Sequence, residues 1–245
     1  MAAETRSYVG TSGWSYSDWR GVFYPHDLSS GDWLRFYSLR FPTVELNASF
    51  YRLPTRQAFQ RWHDAVPDGF QFSVKASRFI THVKKLRDVE GPLHTLLDTA
   101  STLGDKLGVM LYQLPPGLRR DDGLLAAFLS ILPKGVRHAV EFRSTTWYHD
   151  EVYDILRRSN VALCVHDFQR LDTPVVATAD FAYFRFHGTS GRYAGSYSDG
   201  EMDRWAGEMR RVGRGLKAVY AYFNNDIGGQ AVNDALRLSE KTQGR

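Results

Sequence analysis

The sequence predicts a (β/α)₈ barrel, and three features support this. Short apolar strand patterns alternate with amphipathic helical patterns along the chain, which is typical of parallel βαβ units. Eight strand patterns fit within 245 residues, a size expected of one such barrel. No GxGxxG motif follows the first strand, which counts against a dinucleotide-binding open sheet. We therefore expect residues 1–245 to form a single barrel domain with some long, irregular βα loops.

Runs of apolar, β-branched and aromatic residues bounded by turn residues predict the strands. In the third strand, Phe72 and Val74 lie on one face and Ser73 and Lys75 on the other. The fourth strand alternates less clearly, so Gln113 is placed in the interior without support from parity. The predicted strands are 8–12, 43–47, 71–75, 107–113, 138–143, 162–166, 182–187 and 219–224.

Amphipathic segments between these strands predict the helices. They are 32–40, 57–64, 89–102, 123–132, 151–159, 199–211 and 230–239. The longest stretches assigned to neither class are 13–31, 76–88 and 188–198, and each follows a predicted strand. In barrel enzymes, the loops that follow the strands carry the chemistry.

Polar side chains collect at the C-terminal ends of the predicted strands, on the face that turns toward the barrel interior. A barrel built only for stability is filled mainly with Val, Ile and Leu. A buried ion network is the structural alternative, but such a network need not stabilise a fold. We therefore favour a functional site for this cluster. Its members are Glu45, Asn47, Lys75, Gln113, Glu141, Arg143, His166, Arg185, His187 and Asn224.

The cluster suggests acid–base chemistry on an anionic substrate. Glu45 and Glu141 form a carboxylate pair beside cations, which predicts one raised and one lowered pKa and hence a general acid and a general base. Lys75 and the two arginines would hold the anion, and His187 would be a further proton donor. Alternatively, Lys75 forms a Schiff base if it is desolvated beside an arginine.

Glycine-rich stretches follow the seventh and eighth strands and predict an anion site. RFHGTSGRYAGSYSDG follows one strand, and Gly228 and Gly229 precede a helix after the other. Glycines let the backbone approach a ligand, and free amides at a helix start attract anions. A flexible loop and an ordinary turn are the alternative. The expected lining residues are Arg185, His187, Thr189, Ser190, Arg192, Asn224 and Asn225.

Aromatic and basic residues on the first loops suggest ligand stacking or nucleic-acid contact. Trp14 and Tyr51 directly follow the first two strands and are candidate substrate-binding residues, since aromatic rings stack on bases and sugars. The net charge of +4 and the pI of about 9.1 favour anionic partners. The positive residues near this rim are Arg52, Arg78, His82, Lys84 and Lys85.

Several classes of protein find no support in the sequence. Cys164 is the only cysteine, so no internal disulfide forms. Neither a signal peptide nor a membrane-spanning run is present, and we expect a cytoplasmic protein. No cofactor is evident, since HExxH, CxxC and EF-hand motifs are absent, and no GxSxG elbow marks a hydrolase serine. A divalent metal held by separate strands would leave no local motif, and this alternative stays open, as does the oligomeric state.

The chain resembles the family called domain of unknown function 72. The matching segments are GTSGWSYSDWRGVFYP, TVELNASFYRLP, FSVKASRFITHVKKL, LGVMLYQLPP, VEFRSTTW, YFRFHG and YFNNDIGGQAV, in order along nearly the whole chain. The resemblance implies a (β/α)₈ barrel with its site at the strand C-termini, in a family without an established reaction. The family-typical positions are Trp14, Glu45, Asn47, Tyr51, Lys75, His82, Gln113, Glu141, Arg143, Arg185, His187 and Asn224.

One segment departs from the family pattern. After VEFR the family usually has a His–Pro–Ser–Trp-like run, whereas this chain has Ser144, Thr145, Thr146 and Trp147. Any role of a histidine there is absent from this chain or moves to His149.

Three functions are therefore consistent with the sequence. The first is an enzyme that acts on a phosphate-bearing or other anionic small molecule at the C-terminal face. The second is a nucleic-acid-binding barrel, with or without nuclease chemistry. The third is a barrel with a structural or scaffolding role and no small ligand.

Overall fold

Eight parallel strands pair in sequence order and close into a barrel in the computed structural model, which describes residues 5–168, 173–190 and 193–243. The closing pair joins β8 to β1 over six residue pairs. The predicted (β/α)₈ barrel is therefore confirmed. The strands are β1 Arg6–Ser12, β2 Thr43–Leu46, β3 Gln71–Lys75, β4 Leu107–Gln113, β5 Arg137–Glu141, β6 Val161–His166, β7 Phe181–Phe186 and β8 Ala218–Phe223.

Helices pack around the barrel in the order that the sequence predicts. They are α1 Trp33–Ser38, α2 Ala48–Tyr51, α3 Arg56–Ala65, α4 Glu90–Ala100, α5 Asp122–Ser130, α6 Asp150–Arg158, α7 Asp199–Gly213 and α8 Gln230–Gln243. The short α2 and a π-helical turn, Phe79–Val83, fall where the sequence predicts no helix. In the part of the chain that the structure describes, no helix is long and apolar enough to cross a bilayer.

The strands separate an outer apolar layer from an inner layer, as their alternation predicts. Phe72 and Val74 belong to the core between strands and helices. Val109 and Leu111 belong to the inner layer, and Gln113 has the same parity, so it lies on the inner face. Tyr222 also belongs to the inner layer. The interior of the barrel is therefore partly polar.

Hydrogen bonds between Tyr222 and its neighbours stabilise this polar interior. The Tyr222 hydroxyl pairs with the Thr43 hydroxyl at 2.6 Å and with the Ser73 hydroxyl at 2.8 Å. Because buried hydroxyls are costly without partners, these contacts make the polar filling tolerable.

A buried carboxylate anchors the loop after β7. Asp234 on α8 accepts hydrogen bonds from the Ser196 hydroxyl at 2.6 Å and from the Tyr197 amide at 3.3 Å. Helix α7, which follows this loop, starts with a capping box between Ser198 and Glu201. Both devices fix the position of Tyr197, which reaches toward the barrel mouth.

Candidate functional site

The centre of the site is a guanidinium held between two carboxylates. Arg185 on β7 donates from Nη2 to Glu45 Oε1 at 2.8 Å and from Nη1 to Glu141 Oε2 at 2.7 Å. All three residues are fully buried. Glu45 also accepts from the Ser12 hydroxyl and from the Tyr183 hydroxyl, each at 2.7 Å. The contributing strands are parallel and end at the same face of the barrel, so their charged residues lie close together.

A second arginine, Arg143, contacts Glu141 and His187. Arg143 donates from Nε to Glu141, and its Nη2 lies 3.2 Å from His187 Nε2. Its guanidinium also packs over the Phe168 ring, 3.9 Å from the centroid. Only 7% of Arg143 is exposed. The two glutamates and two arginines balance in charge and form a sealed ionic floor, the name used below for Glu45, Glu141, Arg143 and Arg185.

Both carboxylates of the ionic floor are ionised at neutral pH. Burial by itself raises the pKa of Glu45, but the Arg185 charge and its hydrogen bonds outweigh that effect and hold the pKa below its ordinary value. Glu141 behaves likewise, since Arg143 and Arg185 hold its pKa well below the ordinary value despite burial. The expectation that one pKa is raised is therefore wrong, because each carboxylate faces a guanidinium. Neither glutamate is suited to exchange a proton near pH 7.

His187 is an uncharged hydrogen-bond acceptor toward the arginines. Burial, together with the charge of Arg185, lowers its pKa to about 4, although Asp167 opposes this. Its Nδ1 lies 3.3 Å from Asp167 Oδ1, and its Nε2 lies 3.3 Å from Arg185 Nη1. We infer that Nδ1 carries the proton, since Nε2 faces two donors. This geometry does not suit the predicted role of proton donor.

Unlike Arg143 and Arg185, Lys75 forms no ion pair with a carboxylate of the described residues. Its Nζ lies 4.2 Å from the centroid of the Phe50 ring. Burial and the charge of Arg185 lower its pKa to about 7, and the attraction of Glu45 and Glu141 offsets this only in part. Near neutral pH a large fraction of Lys75 is therefore a free amine, which is the form that accepts protons and attacks carbonyls.

Half-buried amides and an indole stand at the same ends of the strands as Lys75. Ser12 pairs with Glu45 and Glu45 with Ser73, and Trp14, Asn47 and Lys75 follow two residues later in each chain. Gln113 and Asn224 stand at the ends of β4 and β8 and are also half-buried. These half-buried groups at the strand ends are called the cup below.

Other predicted residues lie apart from this cup. Tyr51 is 81% exposed on the outer rim. His82 packs against Phe50 with ring centroids 5.1 Å apart, and burial lowers its pKa to about 4. Asn225 is structural, since its Nδ2 donates to Gly195 O and to Asp234 Oδ2, each at 2.8 Å.

The structure also shows the positions of most other residues that the sequence singled out. His166 points inward, but its Nε2 lies 2.8 Å from the Phe142 carbonyl. Where the family has a histidine, the Ser144 hydroxyl pairs with that of Thr146, and His149 is exposed at the start of α6. Arg192 lies outside the described residues. Within the described ranges, no three His, Cys, Asp or Glu side chains are arranged to hold a metal ion.

Sequence reasoning left three residues around the ionic floor out of the predicted site. The hydroxyl of Tyr183 bonds Glu45, and its parity with Arg185, two residues later, was the available signal. Phe168 covers Arg143 from a loop, where no periodicity predicts the direction of a side chain. The same holds for Asp167, which positions His187.

The closed eight-stranded parallel barrel defines a TIM-barrel protein, and the charged cluster lies at the C-terminal ends of its strands. Within that class, the chain belongs to the family described as Protein of unknown function DUF72, whose model matches residues 8–245.

Known relatives agree with this assignment. The chain is 25% identical to the UPF0759 protein YunF of Bacillus subtilis over 266 residues, which covers 95% of this chain and 93% of the relative. A crystal structure of a DUF72 family protein from Thermotoga maritima is 31% identical, covers 96% of this chain and 98% of that chain, and superposes with a TM-score of 0.86. A DUF72 family protein from Enterococcus faecalis, 20% identical, shares the fold with a TM-score of 0.85 and coverages of 98% and 96%.

Proposed function

We propose that this protein is an enzyme that acts on a small phosphate-bearing or other anionic substrate at the C-terminal face of the barrel, with the Lys75 amine as its base or nucleophile. The observation that carries the proposal is a half-buried lysine with a pKa of about 7 and no described counter-ion. Amines of this kind are tuned for proton transfer or for Schiff-base formation at neutral pH.

The ionic floor supports this role from below. Its charges cancel, so the ammonium that forms when Lys75 takes up a proton carries the excess positive charge of the cluster, and an anionic substrate group would stabilise that charge. We therefore assign the acid–base chemistry to Lys75 and not to Glu45 and Glu141. Glu45 and Glu141 instead hold the two arginines, whose charges help keep the amine unprotonated.

Two reactions fit an amine in this position. As a base, Lys75 takes a proton from a substrate carbon or oxygen and becomes an ammonium. As a nucleophile, it adds to a substrate carbonyl and forms an imine with release of one water molecule. Both need the neutral amine, so either reaction should respond to the pKa of Lys75.

Reductive trapping with pyridoxal 5′-phosphate tests the proposal, because this probe combines an aldehyde with a phosphate. At pH 7.5 we expect borohydride to fix the probe on Lys75 at least tenfold faster than on Lys84 or Lys85, as shown by peptide mass spectrometry. An ordinary lysine, with a pKa of about 10.4, is only about 0.1% unprotonated at this pH. Inorganic phosphate should slow the reaction at Lys75.

The variants Lys75→Met and Lys84→Met provide the contrast. The first should lose the fast labelling and the second should keep it. Even labelling of all lysines would show that the Lys75 amine is not activated and would overturn the proposal.

Nucleic-acid binding is the second candidate, and an exposed aromatic rim favours it. Tyr51 is 81% exposed and Phe79 is 46% exposed, and the contact between Phe50 and His82 joins α2 to the π-helical turn that carries Phe79. Arg52 and Arg78 are exposed next to these rings. Exposed rings with nearby cations are typical of surfaces that bind single strands.

Fluorescence anisotropy with a single-stranded oligonucleotide tests this candidate. If the rim binds a strand, Tyr51→Ala should cost about 1–3 kcal/mol of binding free energy, and the affinity should fall steeply with salt. Leu39→Ala, at another residue with 74% exposure, should change nothing. Absence of binding at low salt would exclude the candidate. Silence toward small anions as well would leave the scaffolding role.

A further inference from the structure

We propose that the cleft between the loop after β1 and helix α3 binds a flat ring with a hydrogen-bond donor, and that this ring is joined to the anionic group that reaches Lys75. The inference deepens the proposed function and rests on it, because it names the substrate class as a ring-bearing phosphate. The cleft is defined here by Trp14, Tyr16, Asn47, Arg61 and Trp62.

The cleft has the size and walls of a ring-binding site. Its volume is about 660 Å³, within the range of small-molecule pockets, and Leu34 and Leu46 also line it. Trp14 and Trp62 meet edge to face, with ring centroids 5.4 Å apart and planes at 85°. Two indoles at this angle form a corner of broad apolar walls, on which a flat ring packs well.

The walls are held in place before any ligand arrives. The Tyr16 hydroxyl donates to the Ser12 carbonyl at 2.6 Å, and its ring packs on Trp19 with centroids 4.7 Å apart. The Tyr24 hydroxyl donates to the Trp14 carbonyl at 2.5 Å. A rigid cleft loses little conformational entropy when it binds, which raises its affinity for a matching ring.

Asn47 supplies the polar contact that the cleft needs. Its buried Oδ1 accepts no hydrogen bond from any described residue. Buried amide oxygens are nearly always paired, so this one calls for an external N–H or O–H donor. Asn47 precedes α2, but its side chain does not cap that helix. The unpaired oxygen therefore has no structural duty.

The position of Asn47 links the cleft to the reactive amine. The residue lines the cleft and directly precedes α2, which contacts Lys75: the Ser49 hydroxyl donates to the Lys75 carbonyl at 2.7 Å, and the Phe50 ring lies 4.2 Å from Lys75 Nζ. A ligand that places its ring against the indoles and its donor on Asn47 can extend its anionic group to Lys75. Arg61 is exposed at the cleft and adds positive charge that attracts such an anion.

Isothermal titration calorimetry with three probes tests the inference. Inorganic phosphate is the reference, and adenosine 5′-monophosphate and glucose 6-phosphate present a heterocycle and a sugar ring. We expect adenosine 5′-monophosphate, whose base is flat, to bind ten times more tightly than inorganic phosphate. A gain with glucose 6-phosphate alone, whose ring is puckered, would contradict a flat ring.

The variant Asn47→Leu should lose that tenfold gain and keep the affinity for inorganic phosphate. Its melting temperature should not fall, because it removes an unpaired buried oxygen. Asn47→Ala repeats the test without added bulk, and Arg158→Gln, at an exposed arginine on α6, should behave like the natural protein.

The inference is overturned if neither ring phosphate exceeds inorganic phosphate, or if both Asn47 variants retain the gain. Its failure is distinct from failure of the proposed function. Loss of ring selectivity in the Asn47 variants without trapping at Lys75 would support the cleft and contradict the enzyme. Trapping at Lys75 without any ring selectivity would do the reverse.

Discussion

Replacing Arg185 with methionine is expected to lower the free energy of unfolding at pH 8 by about 3–5 kcal/mol, because Glu45 and Glu141 would be left as buried charges with a lost partner. In a chain of this length each kcal/mol shifts the melting temperature by about 2–4 °C. The expected fall is therefore roughly 6–20 °C in a thermal melt.

The same variant should invert the pH dependence of stability. In the natural protein both carboxyl pKa values are lowered, so their stabilising contribution is present above the unfolded pKa and is lost as the pH falls through the folded values. Without Arg185, burial dominates at Glu45 and raises its pKa, while Arg143 still opposes burial at Glu141. Stability then is greater at low pH and is lost as the pH rises, so the deficit of Arg185→Met should shrink from pH 8 to pH 5.

A matched control separates burial from charge. Arg157→Met removes an ion pair with Asp154 in which both side chains are about half exposed. Such pairs contribute between 0 and about 1 kcal/mol, so this variant should melt within a few degrees of the natural protein at both pH values. An equal effect of the two arginine variants would contradict the sealed ionic floor.

Backbone periodicity explains which parts of this site the sequence predicts. Because side chains alternate along a strand, Glu45, Glu141 and Arg185 were assignable to one interior from parity alone, and the structure places them together. The short α2 was not predictable, because four residues carry too little periodicity to distinguish a helical turn from a loop.

The alternation of side chains along a strand does not predict which groups form ion pairs or which are protonated. Parity places cations near carboxylates but does not say that Arg185 bridges both glutamates while Lys75 has neither. That difference depends on the length and direction of each side chain and on cover from Phe168, a loop residue. The pairing of Arg185 with both glutamates also changes the expected chemistry. It lowers the pKa of both glutamates and leaves the Lys75 amine without a carboxylate partner.

Lys75→Met should raise the melting temperature at pH 6–7 while it abolishes amine chemistry. The folded pKa of Lys75 is about 7, against about 10.4 for an ordinary lysine, so the unfolded chain binds more protons between these values. The natural protein therefore gains stability from this group as the pH rises from 7 toward 10, and the full penalty applies below pH 7. Methionine keeps the aliphatic volume and has no charge to desolvate, so the advantage of the variant should narrow as the pH approaches 10.

Melts at pH 6.5 and 9.5, with Lys84→Met as the control, measure this difference. A variant that melts lower than the natural protein by the same amount at both pH values would show that Lys75 stabilises the fold as a cation, and the enzyme proposal would lose its basis. A gain confined to the lower pH would mean that the chain keeps a destabilising amine at its barrel mouth. Residues that cost stability in this way persist where activity depends on them, and at this position the activity available is that of a neutral amine facing an anionic substrate.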